Sequence, residues 1–347
     1  MNTRACVIHA EKDLRIDPVP VGRPGAGEVL VRVGAGGICG SDLHYYNHGG
    51  FGVVRVREPM ILGHEVAGTV EAVGEAVTGL KKGDRVALNP SRPCGRCRFC
   101  LAGEQQHCLD MWFWGSAMRF PHSQGAFREH IVIEAFRCEP VGDEVSLGEA
   151  ACCEPLSVAL HAVRQAGSIA GRRVLVTGAG PIGALTVAAA RQAGALEVVS
   201  TDLHDEALAK ATAMGATAIV NVGAGPGLAR DDFTAEKGYF DVAIECTGAA
   251  PVLASVLPVV RPRGTIVQVG VGGDVSLPLG SIVGKELALR GAFRFHEEFA
   301  VAARLIKDRR IDVSPIITGA LPLADAVAAF EMASDRRTHS KVQLLFD

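Results

Sequence analysis

The stretch Arg173-Val174-Leu175-Val176-Thr177-Gly178-Ala179-Gly180-Pro181-Ile182-Gly183 decides the fold. Its apolar run of five residues reads as a buried strand, and Gly178 to Gly183 spell G-x-G-x-x-G at the start of a helix spanning residues 182–193. Glycines there let a backbone approach a pyrophosphate, whose charge is favoured by the helix N-terminus that Pro181 and Ile182 open. Nineteen residues beyond Gly183 stands Asp202, at the end of the next apolar run, placed to accept hydrogen bonds from an adenosine ribose. A carboxylate in that position repels a 2′-phosphate, and no Arg or Lys follows before Lys210. NAD is therefore expected, with NADP as the second coenzyme.

Outward from this turn, strand and helix patterns alternate. Residues 197–201, 218–222, 241–245 and 265–269 read as strands, and 204–214 as a helix. Such alternation predicts a parallel sheet covered on both faces. Upstream of about residue 150 the texture differs: Val29, Val31 and Val33 alternate with other residues, and glycines break short apolar runs, which predicts a mostly β domain rich in turns. The tail carries a helix over 298–307 and a strand over 341–346. The expected class is α/β, with a β domain over residues 1–150, a doubly wound domain over 151–290, and a tail from about 291 returning to the first.

The chain has 347 residues, 48% hydrophobic and 21% charged, with a net charge of -3. Two cores can be filled. Without a basic stretch, nucleic acid and anionic membranes are not expected as partners. The first residues are too short in apolar run for a signal peptide, and the apolar segment 174–190 is interrupted by glycines and a proline, which suits a soluble cytoplasmic protein.

Four of the ten cysteines fall between Cys94 and Cys108. The spacing Cys94-x2-Cys97-x2-Cys100-x7-Cys108 suits tetrahedral zinc, and an all-thiolate shell leaves no open position, so this site is structural. A second set is dispersed: Cys39, His64, and a glutamate that is either Glu65 or Glu154. Three protein ligands and an exchangeable position are what a catalytic zinc requires.

Gly63-His64-Glu65-x2-Gly68-x5-Gly74-x2-Val77 resembles the zinc signature of the medium-chain dehydrogenases, and the cysteine lobe and glycine turn follow in that family's order. Gly40-Ser41-Asp42-Leu43-His44-Tyr45 and Glu154-Pro155-Leu156-Ser157 look like its polyol branch, and other stretches look like an enzyme of sugar acids within it. The resemblance implies a GroES-like catalytic domain and a Rossmann coenzyme domain, two zinc ions per chain, and a homotetramer, with a dimer as second choice. It implies a secondary alcohol of a small polyhydroxy acid or polyol as substrate. Ser41 would pass the alcohol proton, through the coenzyme ribose, to His44, whose ordinary pKa near ~6.5 suits exchange with solvent. Asp42 would fix the tautomer of His64. Tyr45, Phe113, Ser116, Arg119 and Arg294 would line the substrate, with His122 nearby. Two other readings remain at this stage: a zinc-free quinone-reductase-like enzyme, which should lack Cys39, His64 and Glu65, and a non-catalytic nucleotide-binding protein, which leaves both metal sets unexplained.

Overall fold

A computed structural model of the chain describes residues 2–346. It divides into two compact units, one of residues 1–154, 299–309 and 317–347, the other of 155–298 and 310–316.

The second unit is built on six parallel strands: β1 (Arg173–Thr177), β2 (Glu197–Asp202), β3 (Ala218–Asn221), β4 (Phe240–Glu245), β5 (Val260–Gln268) and β6 (Ala288–Gly291). Their spatial order is 3-2-1-4-5-6, which reverses between β1 and β4. Val174, Leu175 and Val176 are all buried, as a strand covered on both faces demands. The helix α1 (Pro181–Gln192) connects β1 to β2 and has Pro181 in its first turn. Phe240, Ala243, Val260 and Ile266 pack in the core between sheet and helices. Two details differ from the sequence reading. β5 starts five residues early, with its register against β4 shifting between Phe240 and Val242. β6 was not anticipated at all, because Ala288-Leu289-Arg290-Gly291 lies at the sheet edge and needs no continuous apolar run.

The first unit holds a seven-stranded sheet centred on Glu28–Gly37, which pairs antiparallel with Glu65–Val73, with His130–Glu134 and with Lys341–Leu345. Here the alternation is genuine: Val29, Val31 and Val33 are fully buried, and Arg32 between them is exposed. Phe127, Phe330 and Leu344 fill the same core. The segment 291–298 stays with the second unit, where the Glu298 carboxylate lies 3.0 Å from the His161 ring and accepts the His296 amide at 2.9 Å. Two helices, Leu147–Ala151 and Cys153–Gln165, follow the first unit's strands, the first held by a capping box between Ser146 and Glu149.

Candidate metal centres and coenzyme turn

Cys39 caps the helix Gly40–His48, and its amide donates to Asp42 Oδ2 at 3.0 Å. The other oxygen of Asp42 accepts the Gly63 amide at 3.2 Å, so one buried carboxylate ties the turn bearing Cys39 to the turn bearing His64. Asp42 stands 3.9 Å from His64 Nδ1, within reach of charge but beyond a hydrogen bond. At that distance the expected tautomer-fixing bond is not formed, and the hydrogen bonds Asp42 does accept come from the Cys39 and Gly63 backbone amides.

Glu65 begins its strand opposite Gly37, and its carboxylate is fully buried. A Cβ on Gly37 would lie 2.2 Å from Glu65 Oε2, so only glycine admits this side chain. Lys341, also buried, donates to Glu65 at 2.7 Å and to the Ile38 carbonyl at 3.2 Å. Burial opposes its charge, but Glu65 and then Cys39 raise the ammonium above its ordinary range. Lys341 was not anticipated: a lysine opening an apolar strand reads as a surface residue, and only the 276-residue separation closing in space reveals it.

Ligand atoms of Cys39, His64 and Glu65 lie within 4.8 Å of one another. His64 Nδ1 is buried without a hydrogen-bond partner among the described residues, and the Glu65 carboxylate beside it is met by the Lys341 ammonium alone, 2.7 Å from Oε2. An orphaned donor of this kind, beside a thiol, fits zinc. Glu154 is buried at the start of its helix outside that three-residue group. Burial, countered by His64 and reinforced by Glu65 and Cys39, pushes its carboxyl up to about 8. Burial likewise pushes the Cys39 thiol up to about 11, which a dication alongside would reverse.

In the cysteine lobe, Cys97 Sγ lies 3.6 Å from Cys100 Sγ and 4.0 Å from Cys108 Sγ. Tetrahedral zinc with Zn–S near about 2.3 Å requires S···S separations of about 3.8 Å. Backbone amides of Leu109 and Cys100 bring Cys97 down to about 6, and those of Cys94 and Asp110 donate to Cys108 Sγ at 3.1 and 3.3 Å. The lobe is shaped for thiolates.

At the coenzyme turn, Gly178 has φ of +84°, and a Cβ on Gly183 would lie 1.7 Å from the Gly178 carbonyl oxygen. A Cβ on Gly180 would meet nothing within 4 Å, leaving room above the helix N-terminus for a phosphate. Asp202 Oδ2 accepts the Ala179 amide at 2.7 Å, so the acid anchors the turn itself.

Residues 25–143 match the model of the alcohol dehydrogenase GroES-like domain, and 181–308 that of the zinc-binding dehydrogenase. The chain is 40% identical over 347 residues to the L-idonate 5-dehydrogenase (NAD(P)(+)) of Escherichia coli K12, covering 100% of this chain and 99% of that one. The chain belongs to the zinc-dependent alcohol dehydrogenases. It is also 37% identical to human sorbitol dehydrogenase, over 95% of this chain and 92% of the other. The crystal structure of the E. coli L-idonate enzyme superposes with a TM-score of 0.94 at 39% identity, covering 100% and 99% of the two chains. As a member of this family, the protein is a zinc-dependent oxidoreductase using NAD(P), with a structural zinc in the Cys94 to Cys108 lobe.

The remaining expected residues of this dehydrogenase are placed as follows. The Phe113 ring is 5.5 Å from that of His64. Tyr45 is buried, and its hydroxyl accepts the Ala117 amide at 3.1 Å. Ser116 Oγ accepts the Met118 amide at 3.3 Å. His122 has both ring nitrogens engaged: Nδ1 with the Arg119 carbonyl at 2.8 Å, Nε2 accepting the Arg57 amide at 2.9 Å. Arg119 stacks on Trp112 at 3.5 Å and pairs with Asp110 at 2.8 Å. Arg294, in the second unit, has φ of +54° and lies over the Phe293 ring at 4.9 Å. His44 is exposed, and partial burial followed by Arg336 lowers its pKa.

Cys97→Ser is expected to leave about one zinc per chain and to lower the melting temperature, because a structural metal contributes folding energy directly. Cys39→Ser should also lose one zinc but keep the melting temperature of the native chain within a few degrees. Metal analysis beside thermal unfolding checks both, and a native protein turning over without zinc contradicts them. Lys341→Met should cost about 3–5 kcal/mol in denaturant unfolding, since Glu65 then keeps a buried charge without its cation. An unchanged midpoint would show that the pair is dispensable.

Proposed function

We propose that this dehydrogenase oxidises L-idonate at C5 to 5-keto-D-gluconate, with sorbitol-like polyols as the second reading. What carries the proposal is the full-length 40% identity to an enzyme of that name. The 37% identity to sorbitol dehydrogenases supports the second reading.

Cys39, His64 and Glu65 are the catalytic-zinc ligands in this reading, Glu65 being favoured over Glu154 by its place in the three-donor group. Zinc bound there supplies Lewis acidity toward the carbinol or ketone oxygen. Asp42 fixes the spacing of the Cys39 and His64 turns. Ser41 would take the alcohol proton and His44 would pass it to solvent, its lowered pKa and exposure favouring rapid release. Phe113 keeps water from the His64 side.

For the substrate carboxylate Arg294 is the candidate. A non-glycine residue in the left-handed region is costly, and such strain concentrates at functional positions. Its guanidinium can grip a carboxylate bidentately. Arg119 is less suited, being committed to Asp110 and Trp112, and Tyr45 and Ser116 serve the wall through their backbone partners.

NAD is the preferred coenzyme on the charge of Asp202. The protein assembles as a homotetramer in the cytoplasm, with a dimer as second choice. Support for association comes from the second unit, whose sheet ends at β6 with one side unpaired and which leaves Val271, Leu279, Val283 and Leu289 exposed. None of the ten cysteines is joined in a disulfide, as a reducing compartment maintains. No helix of the described residues is long and apolar enough to cross a membrane. Sedimentation at micromolar concentration tests the assembly, and a monomer would refute it.

Kinetics on L-idonate, sorbitol and xylitol, each with NAD and NADP, test the rest. Idonate with NAD should give the highest kcat/KM. Arg294→Ala should raise KM for idonate about tenfold or more while changing sorbitol little, as loss of a charge-assisted pair requires. Equal losses, or a native preference for sorbitol, would leave a general polyol dehydrogenase. Asp202→Ala should weaken NAD and narrow the gap to NADP; a native enzyme favouring NADP refutes the coenzyme assignment.

A further inference from the structure

The last residues of three adjacent strands form one polar row. Thr177 of β1 pairs in register with Glu245 of β4, and Glu245 with Gln268 of β5. Glu245 is fully buried. Its Oε1 accepts the Thr247 amide at 2.7 Å, the Thr247 hydroxyl, and the Thr177 hydroxyl at 3.4 Å. Its Oε2 accepts the Gly248 amide at 3.0 Å and the Gln268 side-chain amide. The backbone carbonyl of the same residue takes the Val269 and Gly270 amides at 2.8 and 2.9 Å. One residue thereby gathers the loops that leave β4 and β5. Those loops touch backbone to backbone: a Cβ on Gly270 would lie 2.0 Å from the Gly248 nitrogen.

All of Glu245's partners are neutral, and no Lys or Arg pairs with it among the described residues. A buried carboxylate usually has a cation, and Glu65 has one. This one is met by dipoles alone, at the carboxyl ends of the strands.

Ligands of such sheets lie in the crevice at the carboxyl ends, where the strand order reverses. Here that point is between β1 and β4. A dinucleotide with its pyrophosphate at the Gly178 turn and its adenosine toward Asp202 on β2 would lay its other half over β4 and β5. We propose that Glu245, besides bracing the two loops, is a charge-discriminating positioning residue: its uncompensated anion lies beneath the nicotinamide half and favours the cationic oxidised ring over the neutral reduced one. The protein thereby holds NAD+ preferentially and lowers the reduction potential of the bound couple. The same argument applies to NADP+ and NADPH, whose rings are identical, so it does not depend on Asp202.

Two variants remove the charge in different ways. Glu245→Gln does so isosterically, and the unpartnered Oε1 of Gln268 can turn to accept the new amide. Gln268→Lys leaves Glu245 and its acceptors in place and neutralises it, since Gln268 Nε2 already donates both to Glu245 and, at 2.8 Å, to the Gly270 carbonyl. Equilibrium binding of NAD+ and of NADH to the zinc-loaded protein, by calorimetry and by NADH fluorescence, gives the ratio of dissociation constants. In each folded variant, NAD+ should weaken roughly five- to tenfold relative to NADH, as expected for one charge acting through a partly polar medium. A tenfold change equals about 30 mV in the potential of the bound couple. A purely bracing role would weaken both forms alike, which is the result expected of Glu245→Asp. Should Glu245→Gln fail to fold, Gln268→Lys decides alone. A ratio within twofold of the native value in Gln268→Lys overturns the proposal.

Discussion

The contact on which the metal centre depends is between the Glu65 carboxylate and the Lys341 ammonium, both buried and 2.7 Å apart. It joins the starts of two strands across the end of a third, and it forms only because Gly37 has no side chain to occupy the space between. Around it the formal charges balance when zinc is bound. The thiolate of Cys39 and the carboxylates of Glu65 and Asp42 face a dication and one ammonium, and burial opposes ionisation of Glu154 beside them. A buried cluster of this density is tolerable only near neutrality. Removing the lysine leaves Glu65 with a buried charge that the low-dielectric interior opposes.

Much of this was legible in the amino-acid order, and the reason is locality. The glycine turn, the Cys94 to Cys108 lobe and the His64-Glu65 pair are encoded within short windows, where spacing alone dictates which atoms can meet. Asp202 was visible because a strand and helix of ordinary length put it at a fixed offset. Lys341 was not, since its partner is 276 residues away and nothing near it signals burial. Asp42 reads in sequence as the partner of His64, but its hydrogen bonds go to the Cys39 and Gly63 amides, a choice set by turn geometry that side-chain types do not reveal. Arg119 reads as a free cation in sequence, and only folding brings Trp112 beneath it.

The two units solve the burial of acid differently. The metal-bearing unit cancels Glu65 with a lysine and a metal. The coenzyme unit gives Glu245 only hydroxyls and amides, and gives Asp202 the Ala179 and His204 amides. Dipoles hold an anion in place without neutralising it, so those carboxylates still project charge. The distinction separates acids that build a cavity from acids that act on what enters it.

The order in which the chain is made bears on the Glu65 pair. During translation Glu65 leaves the ribosome 276 residues ahead of Lys341, an interval of roughly 14 to 55 s at ordinary elongation rates. The whole coenzyme unit is synthesised within that interval. Until the late strand arrives, Glu65 has no lysine and the sheet no reason to close over it, so the carboxylate stays hydrated. The nascent protein thus carries a finished nucleotide domain beside an open, wet metal cleft, and the last strand acts as the latch that dries it.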